Sequence, residues 1–326
     1  MFNILTMIDA SFAVNHARII VPVRNGGARW REAAGALRTV LLDPSAVAVV
    51  DSGSVDGSDR VAAESGFEVL RIDPRTFNHG ATRQCAVDRF CGGGAFQFAV
   101  FLTQDAVLDG PEALPALLAS FSDPMIGVAY GRQVPHTGAR PFEAHMVLFN
   151  YGSSSETRSL ADAGRLGIKA AYTSNSFAAY RLSALRACGG FPHHLILGED
   201  TYVAVKLLLS GWRIRYCAEA RVRHSHAYTI AQEAQRYFDF GVLHAQLPEL
   251  MRNFGAAEGE GARFVTSELR YLAAHSPGLL PLAVPRNIAK YTGYRLGRMF
   301  TRLPRRLCRR LSMTKIFWDS EPAAVR

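Results

Sequence analysis

The sequence predicts an α/β protein built on a mixed, mostly parallel sheet that has helices on both faces. Short apolar segments rich in β-branched or aromatic residues recur in the first third of the chain, and stretches of helical length separate them. Strands arranged in this way pair in parallel through right-handed crossovers. The chain of 326 residues is 48% apolar, which excludes wholesale disorder and allows a substantial buried core.

Four strands and three helices are predicted in this first third. The strands are RIIVPV at 18–23, AVAVVD at 46–51, FEVLRI at 67–72 and FQFAVFL at 96–102. The helices span 28–41, a stretch from about Asp56, and about 80–90. In such sheets ligands bind beyond the carboxyl ends of the strands, so the residues that follow each strand are the candidate site.

A polar loop follows each predicted strand. The loops are RNGG at 24–27, DSGSVDGS at 51–58, FNHGATR at 77–83 and TQDA at 103–106. Turn chemistry accounts for the Gly, Asn, Asp and Ser residues. It does not account for His79 and Arg83, nor for an acid after each of two strands, and the pattern predicts a ligand site that the loops share.

Two segments of the second half carry further candidate residues. The segment EDTYVAVKLLLSGW at 199–212 predicts a short helix with Asp200 in its first turn, where the helix dipole favours an ionised carboxylate. Gly211 suits the end of that helix. His224 and His226 are spaced so that a strand places both rings on one face, which permits metal binding.

The basic charge of the protein is concentrated near the C-terminus. The net charge is +9, and residues 286–318 contain ten Lys or Arg residues and no acid. Apolar residues at helical spacing between Leu296 and Leu311 predict an amphipathic helix that Pro304 breaks or kinks. Such a basic helix predicts binding to an anionic membrane surface, and docking on the main domain or a subunit interface is the alternative. No recognition fold accompanies the charge, so no nucleic-acid partner is predicted.

The sequence also predicts the cellular compartment in which the protein resides. No apolar run reaches the roughly 18 residues of a spanning helix, and the first residues do not resemble a secretory signal. Five scattered cysteines without CxxC spacing predict free thiols in a reducing cytosol. Residues 230–275 predict amphipathic helices interrupted at 256–262.

The loops, in this order, resemble the inverting family 2 glycosyltransferases of GT-A fold, and among them the bacterial rhamnosyltransferases. The resemblance is carried by VPVRNGG at 21–27, VVDSGSVDGS at 49–58, FNHGATR, FLTQDA, GGFPHHLILGEDTYVAVKLLLSGWRI at 189–214 and RHSH at 223–226. It predicts a catalytic domain at 1–235, with a nucleotide-binding half at about 18–130 and an acceptor half at about 131–235. A helical region at 236–326, which ends in the basic tail, completes the chain.

The resemblance implies a nucleotide-binding set comprising Pro22, Asn25, Asp51, Asn78, His79, Arg83 and Gln104. In it Asp51 accepts a hydrogen bond from the ring N–H of uracil or thymine, a task that suits a carboxylate because it only accepts. Arg83 reaches the base or the diphosphate. Asp56 shapes the same loop as Asp51 or caps the helix that follows.

The resemblance also implies a metal site and a catalytic base. Asp105 binds Mg²⁺ or Mn²⁺, with His226 or His224 as a second ligand, while Thr103 stands where the family has its first acid. Asp200 is the base that takes the proton of the acceptor hydroxyl.

The implied activity is inverting transfer of L-rhamnose from dTDP-L-rhamnose to a hydroxyl of a lipid-linked saccharide, in bacterial surface polysaccharide synthesis. The enzyme is expected at the inner face of the cell membrane. The alternatives are a UDP-hexose donor, or an inactive assembly protein that binds nucleotide or membrane.

Overall fold

A computed structural model of the chain describes residues 13–41, 43–255 and 258–319. Its nine strands are β1 (Ala17–Val23), β2 (Val47–Asp51), β3 (Glu68–Arg71), β4 (Phe98–Leu102), β5 (Val107–Leu108), β6 (Ile126–Val134), β7 (Glu156–Arg158), β8 (Phe177–Arg181) and β9 (Arg213–Arg223). The bounds of the first four strands differ from the four predicted strands by at most two residues, and the largest difference is at the start of β4.

The helices that follow are numbered in chain order within the described residues. They are α1 (Gly27–Val40), α2 (Ser58–Glu64), α3 (His79–Cys91), α4 (Ala113–Ala119), α5 (Pro141–Asn150), α6 (Ala163–Leu166), α7 (Leu182–Ala187), α8 (Glu199–Leu209), α9 (Ile230–Gln246), α10 (Pro248–Phe254), α11 (Glu258–His275), α12 (Leu280–Arg298), α13 (Arg305–Leu311) and α14 (Lys315–Asp319).

The strands form one mixed sheet in the order β3-β2-β1-β4-β8-β6-β9-β5, and β7 pairs with β9. Strands β1 to β4 pair in parallel, as predicted, whereas β8 lies antiparallel between β4 and β6. At the far edge Val107 of β5 pairs with Arg223 of β9. This register brings the loop after β4 beside the residues that follow β9.

Two hydrophobic cores lie on the two faces of the sheet, because alternate residues of each strand point to opposite sides. Ile20 of β1 and Val50 of β2 belong to one core, and Ile19 and Val49 belong to the other. The first core is covered by α3, α8, α9 and part of the C-terminal region, and the second by α1, α2 and α4. The loops at the carboxyl ends of the strands are held between these layers.

The C-terminal helices pack closely on the rest of the protein. A side chain at Gly293 or Gly297 of α12 would put its Cβ 2.2 or 2.0 Å from a backbone carbonyl of α9, and one at Gly241 of α9 would meet α12 at 2.3 Å. These glycines let two helix backbones approach each other directly. The predicted domain boundary at residue 235 falls inside α9.

The basic tail is divided as Pro304 predicts, but most of its apolar residues face the protein. Helix α12 ends at Arg298, and Pro304 is the N-cap of α13. Tail residues packed against or buried in the first core are Leu296, Phe300, Leu303, Leu311, Phe317 and Trp318. The apolar periodicity of 296–311 therefore reflects docking on the main body, which was the alternative interpretation. Another face of α12, with Val284, Ile288 and Tyr291, is exposed.

A buried carboxylate fastens the end of the tail. Asp239 of α9 accepts hydrogen bonds from the Ser312 hydroxyl at 2.6 Å, the Met313 amide at 3.1 Å, and the amide and hydroxyl of Thr314 at 3.0 Å each. Of the predicted interruption at 256–262, residues 256 and 257 lie outside the described residues, and α11 already begins at Glu258. No helix in the described part of the chain is long and apolar enough to cross a membrane.

Candidate functional site

The loops after the strands surround a cleft of about 620 Å³. Its lining includes seven of the predicted site residues: Pro22, His79, Arg83, Gln104, Asp105, Asp200 and His226. The remaining wall comes from α5, from the segment before β8 and from α9. Asn25, Asp51 and Asn78 are not part of the lining, and each has a defined role just behind it.

Asp51 ends β2 as a buried turn acid with one oxygen to spare. Its Oδ2 accepts the backbone N–H groups of Gly53 and Ser54, both at 3.1 Å. Its Oδ1 is buried and has no hydrogen-bond partner within the described residues. Buried carboxylate oxygens are normally hydrogen-bonded, so this Oδ1 is an acceptor that a ligand could use. The neighbouring residue, Ser52, lines the cleft.

Asn25 and Asp56 join the loops that follow β1 and β2. The Asn25 Oδ1 accepts the Val55 amide at 2.9 Å, and this residue has φ +50, which Asn tolerates better than most. One Asp56 oxygen accepts the Gly27 amide at 2.9 Å, and the other accepts the Ser58 amide and hydroxyl. These bonds make one rigid double loop. Asp56 thus shapes the loop, the first of its two predicted roles.

Asn78 and Gln104 also make structural contacts. Asn78 is the N-cap of α3: its Oδ1 accepts from the Gly80 and Ala81 amides, and its Nδ2 donates to the Leu195 carbonyl at 3.0 Å. The side-chain oxygen and nitrogen of Asn78 thus both make hydrogen bonds behind the cleft wall, which Asn78 was predicted to shape. Gln104 reaches the cleft, and its Oε1 accepts the Arg24 amide at 2.7 Å.

Asp105, His224 and His226 form a cluster that fits a divalent cation. Asp105 Oδ1 lies 3.4 Å from His224 Nε2, and its Oδ2 lies 3.6 Å from His226 Nδ1. One ligand atom from each residue lies within 4.8 Å of the others. The two histidines were predicted as alternatives for the second ligand, and the pairing of β5 with β9 brings both to Asp105.

The hydrogen bonds behind His224 determine which of its nitrogens is free. Its Nδ1 lies 2.8 Å from Gln133 Oε1. The Gln133 Nε2 donates to the Tyr151 hydroxyl at 2.6 Å and to the Ser174 hydroxyl at 3.0 Å, so Oε1 must accept. Nδ1 therefore carries a proton, and Nε2 is the nitrogen that faces Asp105. A second hydrogen bond of this kind orients histidine ligands in metal sites.

The electrostatics of the cluster favour a metal ion. Burial would raise the pKa of the Asp105 carboxyl, but His224 and His226 hold that pKa well below its usual range. Burial lowers the pKa of His226 to about 4, which keeps its ring neutral. One carboxylate and two imidazoles suit Mn²⁺ better than Mg²⁺, which prefers oxygen ligands.

A pair of carboxylates at the start of α8 forms the opposite side of the cleft. Gly198, with φ +75, turns the chain so that Glu199 points inward and Asp200 borders the cleft. Glu199 is buried and lies 3.1 Å from Arg83. Burial raises its pKa, but the charges of Arg83 and His79 outweigh burial and lower that pKa, so Glu199 is the ionised member of the pair.

Asn175, just before β8, holds both carboxylates. Its backbone N–H donates to Asp200 Oδ2 at 3.2 Å, and its Nδ2 donates to Glu199 Oε1 at 2.9 Å. The Tyr180 hydroxyl donates to its Oδ1 at 2.8 Å, which fixes the orientation of the amide. Burial, followed by the negative charge of Glu199, raises the pKa of Asp200 to about 6. A group with this pKa can accept a proton near neutral pH.

Arg83 and His79 lie beside this pair of carboxylates. The Arg83 side chain is 6% exposed, and besides Glu199 it donates to the His79 carbonyl at 3.0 Å. Burial lowers the pKa of His79 to about 4. Arg83 thus pairs with Glu199 and also lines the cleft, and its contact with the base or the diphosphate stays a prediction.

The sequence analysis did not find Gln133, Asn175 or Arg236, all of which line the cleft. Gln133 and Asn175 act through hydrogen bonds to residues 91 and 24 positions away in the chain. No local pattern reveals such contacts. Arg236 lies in the predicted helical region. There it is an isolated basic residue, and no motif around it indicates a function.

The comparisons with known proteins agree with this geometry. A family model described as glycosyltransferase-like family 2 matches residues 12–238. The O-antigen chain rhamnosyltransferase RfbN of Salmonella typhimurium is 43% identical over 93% of this chain and 96% of its own length. WbaN of Salmonella anatum, which has the same description, is 44% identical over 93% and 95%.

A solved structure shares the fold. The mannosyltransferase PcManGT from Pyrobaculum calidifontis, determined in complex with GDP-Man and Mn²⁺, is 17% identical and superposes with a TM-score of 0.58 over 88% of this chain and 86% of its own. Together with the family match, this likeness confirms the predicted GT-A fold.

Proposed function

Because the chain belongs to the glycosyltransferase-like family 2, we propose that it is an inverting rhamnosyltransferase of O-antigen synthesis that uses dTDP-L-rhamnose. The observation that carries this proposal is the cleft itself, with a metal-binding cluster on one side and a carboxylate of raised pKa on the other. The names of two relatives at 43% and 44% identity support rhamnose as the sugar.

Asp105, His224 and His226 would hold Mn²⁺ or Mg²⁺, which would supply positive charge to the diphosphate of the donor. Gln133 keeps His224 in the tautomer that this task needs. The free Oδ1 of Asp51 accepts the ring N–H of thymine, beside the loop that Asn25 and Asp56 brace. Pro22 and Gln104 border the same end of the cleft.

Asp200 is the base of the reaction. As the acceptor hydroxyl approaches, Asp200 takes its proton and the oxygen bonds to the anomeric carbon. The bond from that carbon to the diphosphate breaks, and its electron pair leaves with the diphosphate. A single displacement inverts the anomeric centre, so a β-linked donor gives an α-rhamnoside. Asn175 and Thr201 each donate a backbone N–H to Asp200, which fixes the carboxylate for this step.

A donor assay tests this function. We expect the protein with Mn²⁺ to hydrolyse dTDP-L-rhamnose slowly without acceptor, and to leave UDP-glucose and UDP-galactose intact under the same conditions. Released dTDP is measured by chromatography, with Mn²⁺ omitted as the control. Turnover of a UDP-hexose instead would reassign the donor, and turnover of none would favour an inactive assembly protein.

An exposed face of α12 supports the proposed association with an anionic membrane. Val284, Ile288 and Tyr291 are 59%, 60% and 63% exposed, and Arg295 and Arg298 continue the same stripe at helical spacing. Apolar side chains beside arginines match a lipid surface that carries negative charge. On the same helix Arg286 lines the cleft, so a docked α12 would present the site to a lipid-linked acceptor.

We expect Ile288→Asp to weaken binding to vesicles of anionic phosphatidylglycerol about tenfold or more, because one exposed apolar side chain no longer enters the lipid. Cosedimentation measures the effect. Leu269→Asp on α11 is the matched control, since Leu269 is 38% exposed and lies outside the stripe. If Ile288→Asp sediments as the unmodified protein does, α12 is not the membrane face.

A further inference from the structure

Arg236 is a cation in the cleft wall that has no partner among the described residues. It lies half-buried on α9, with its guanidinium carbon 4.8 Å from the centroid of the Phe240 ring. Within the described residues, no carboxylate lies within 4 Å of the Arg236 guanidinium, and no acceptor lies within hydrogen-bond distance of it. Its nitrogens are not among the buried unpartnered atoms of the described residues, so they are accessible to a ligand, and stacking on Phe240 orients the guanidinium.

The other arginines of the cleft are either paired or exposed. Arg83 lies 3.1 Å from Glu199, Arg286 lies 2.8 Å from Glu233, and Arg24 and Arg140 are exposed. The unmatched positive charge of the described cleft interior is therefore that of Arg236, and it is positioned by its aromatic neighbour. This arrangement indicates an anionic ligand.

Arg236 shares the cleft with both of its chemical groups. Asp200 and His79 line the cleft on the base side, and Asp105 and His226 line it on the metal-ligand side. Burial is the main cause of the low pKa of His79, and the charge of Arg236 contributes to it. A ligand held between the two sides is therefore within reach of Arg236.

We propose that Arg236 binds the oxygens of a diphosphate group and holds the negative charge that grows on it as the sugar departs. The planar fork of a guanidinium suits two phosphate oxygens better than an ammonium does. Arg236 exchanges no proton in this step, since the electron pair of the broken carbon–oxygen bond stays on the diphosphate. The inference rests on the proposed function and adds a binding residue to it.

Two diphosphates could enter the cleft, that of the donor and that of a lipid-linked acceptor. Because Arg236 lines the same cleft as the metal-ligand cluster, we expect the donor diphosphate to be its ligand. The test is calorimetric titration of Arg236→Gln with dTDP, inorganic pyrophosphate and thymidine in Mn²⁺. Arg270→Gln is the matched control, because Arg270 is exposed on α11 and outside the cleft.

We expect Arg236→Gln to bind dTDP and pyrophosphate at least about tenfold more weakly and to bind thymidine as before. The affinity of Arg236→Lys for dTDP and pyrophosphate should lie between those of the unmodified protein and Arg236→Gln, since lysine keeps the charge and lacks the planar guanidinium. Unchanged dTDP binding with a tenfold higher KM for a lipid-diphosphate acceptor would support the acceptor as the source. An equal loss for thymidine, or no loss in any assay, overturns the proposal. If the unmodified protein itself does not bind dTDP, it is the proposed function that fails.

Discussion

Replacing Asp200 with Asn is expected to reduce transfer about a thousandfold, within the usual contribution of a general base. The amide has almost the same shape, and its single oxygen can accept one of the two backbone N–H groups, those of Asn175 and Thr201, that donate to separate oxygens of Asp200. It cannot accept the proton of the acceptor hydroxyl. The measurement is kcat for rhamnosyl transfer alongside calorimetric binding of dTDP, which we expect to change little.

A matched control separates the loss of a base from the loss of a carboxylate near α8. Glu249→Gln makes the same chemical change at a residue that lies 3.2 Å from Lys206 of α8 and outside the cleft. It should keep nearly full activity. If Asp200→Asn loses dTDP binding together with transfer, Asp200 has a structural role instead.

The assignment of Asp200 as the base also predicts how the activity of the unmodified enzyme depends on pH. Burial and the Glu199 charge raise the pKa of Asp200 to about 6, with Arg83 and two backbone N–H groups acting in the opposite direction. The base is active when deprotonated, so kcat should fall about tenfold per pH unit below pH 6. Glu199→Gln removes the neighbouring negative charge and should move this acid limb to lower pH. A limb that stays in place would show that another group sets it.

The elements that could be predicted from the sequence are those whose signal is local. Strands β1 to β4 are short β-branched or aromatic runs between turn residues, and each lies within two residues of its predicted bounds. Asp105 stands in a loop and Asp200 in the first turn of α8, and the residue types around both already indicate chemistry. Both line the cleft.

The parts of the site that could not be predicted from the sequence depend on contacts between strands that are distant in the chain. Antiparallel β8 places Asn175 against Glu199, and β9 beside β5 brings both histidines to Asp105. Neither arrangement follows from the parallel sheet that the first four strands predict. Arg83 has the residue type of a phosphate ligand, but its pairing with Glu199 of α8 is a long-range contact that no local pattern reveals.

The tail illustrates an ambiguity of amphipathic patterns. An apolar stripe between arginines fits a membrane surface and a docked helix equally well, because both bury one face. The deciding signal was the pair Gly293 and Gly297, whose missing side chains permit direct contact with α9. Helix α12 is thus fixed by its glycine face, and its opposite face with Ile288 and Tyr291 is left to solvent.

Replacing Asp105 with Ala should remove the metal dependence of donor binding. Asp105 is the carboxylate of the cluster, and both histidine nitrogens lie within 3.6 Å of its oxygens. Without it two neutral imidazoles remain, and we expect kcat/KM to fall about a hundredfold or more, since the charge on the departing diphosphate is no longer met by a cation. The measurement is dTDP affinity with and without Mn²⁺. Asp109→Ala is the control, because Asp109 pairs with Arg221 at 2.6 Å and lies outside the cleft. An Mn²⁺ dependence that survives in Asp105→Ala would place the cation elsewhere and remove this cluster from the reaction.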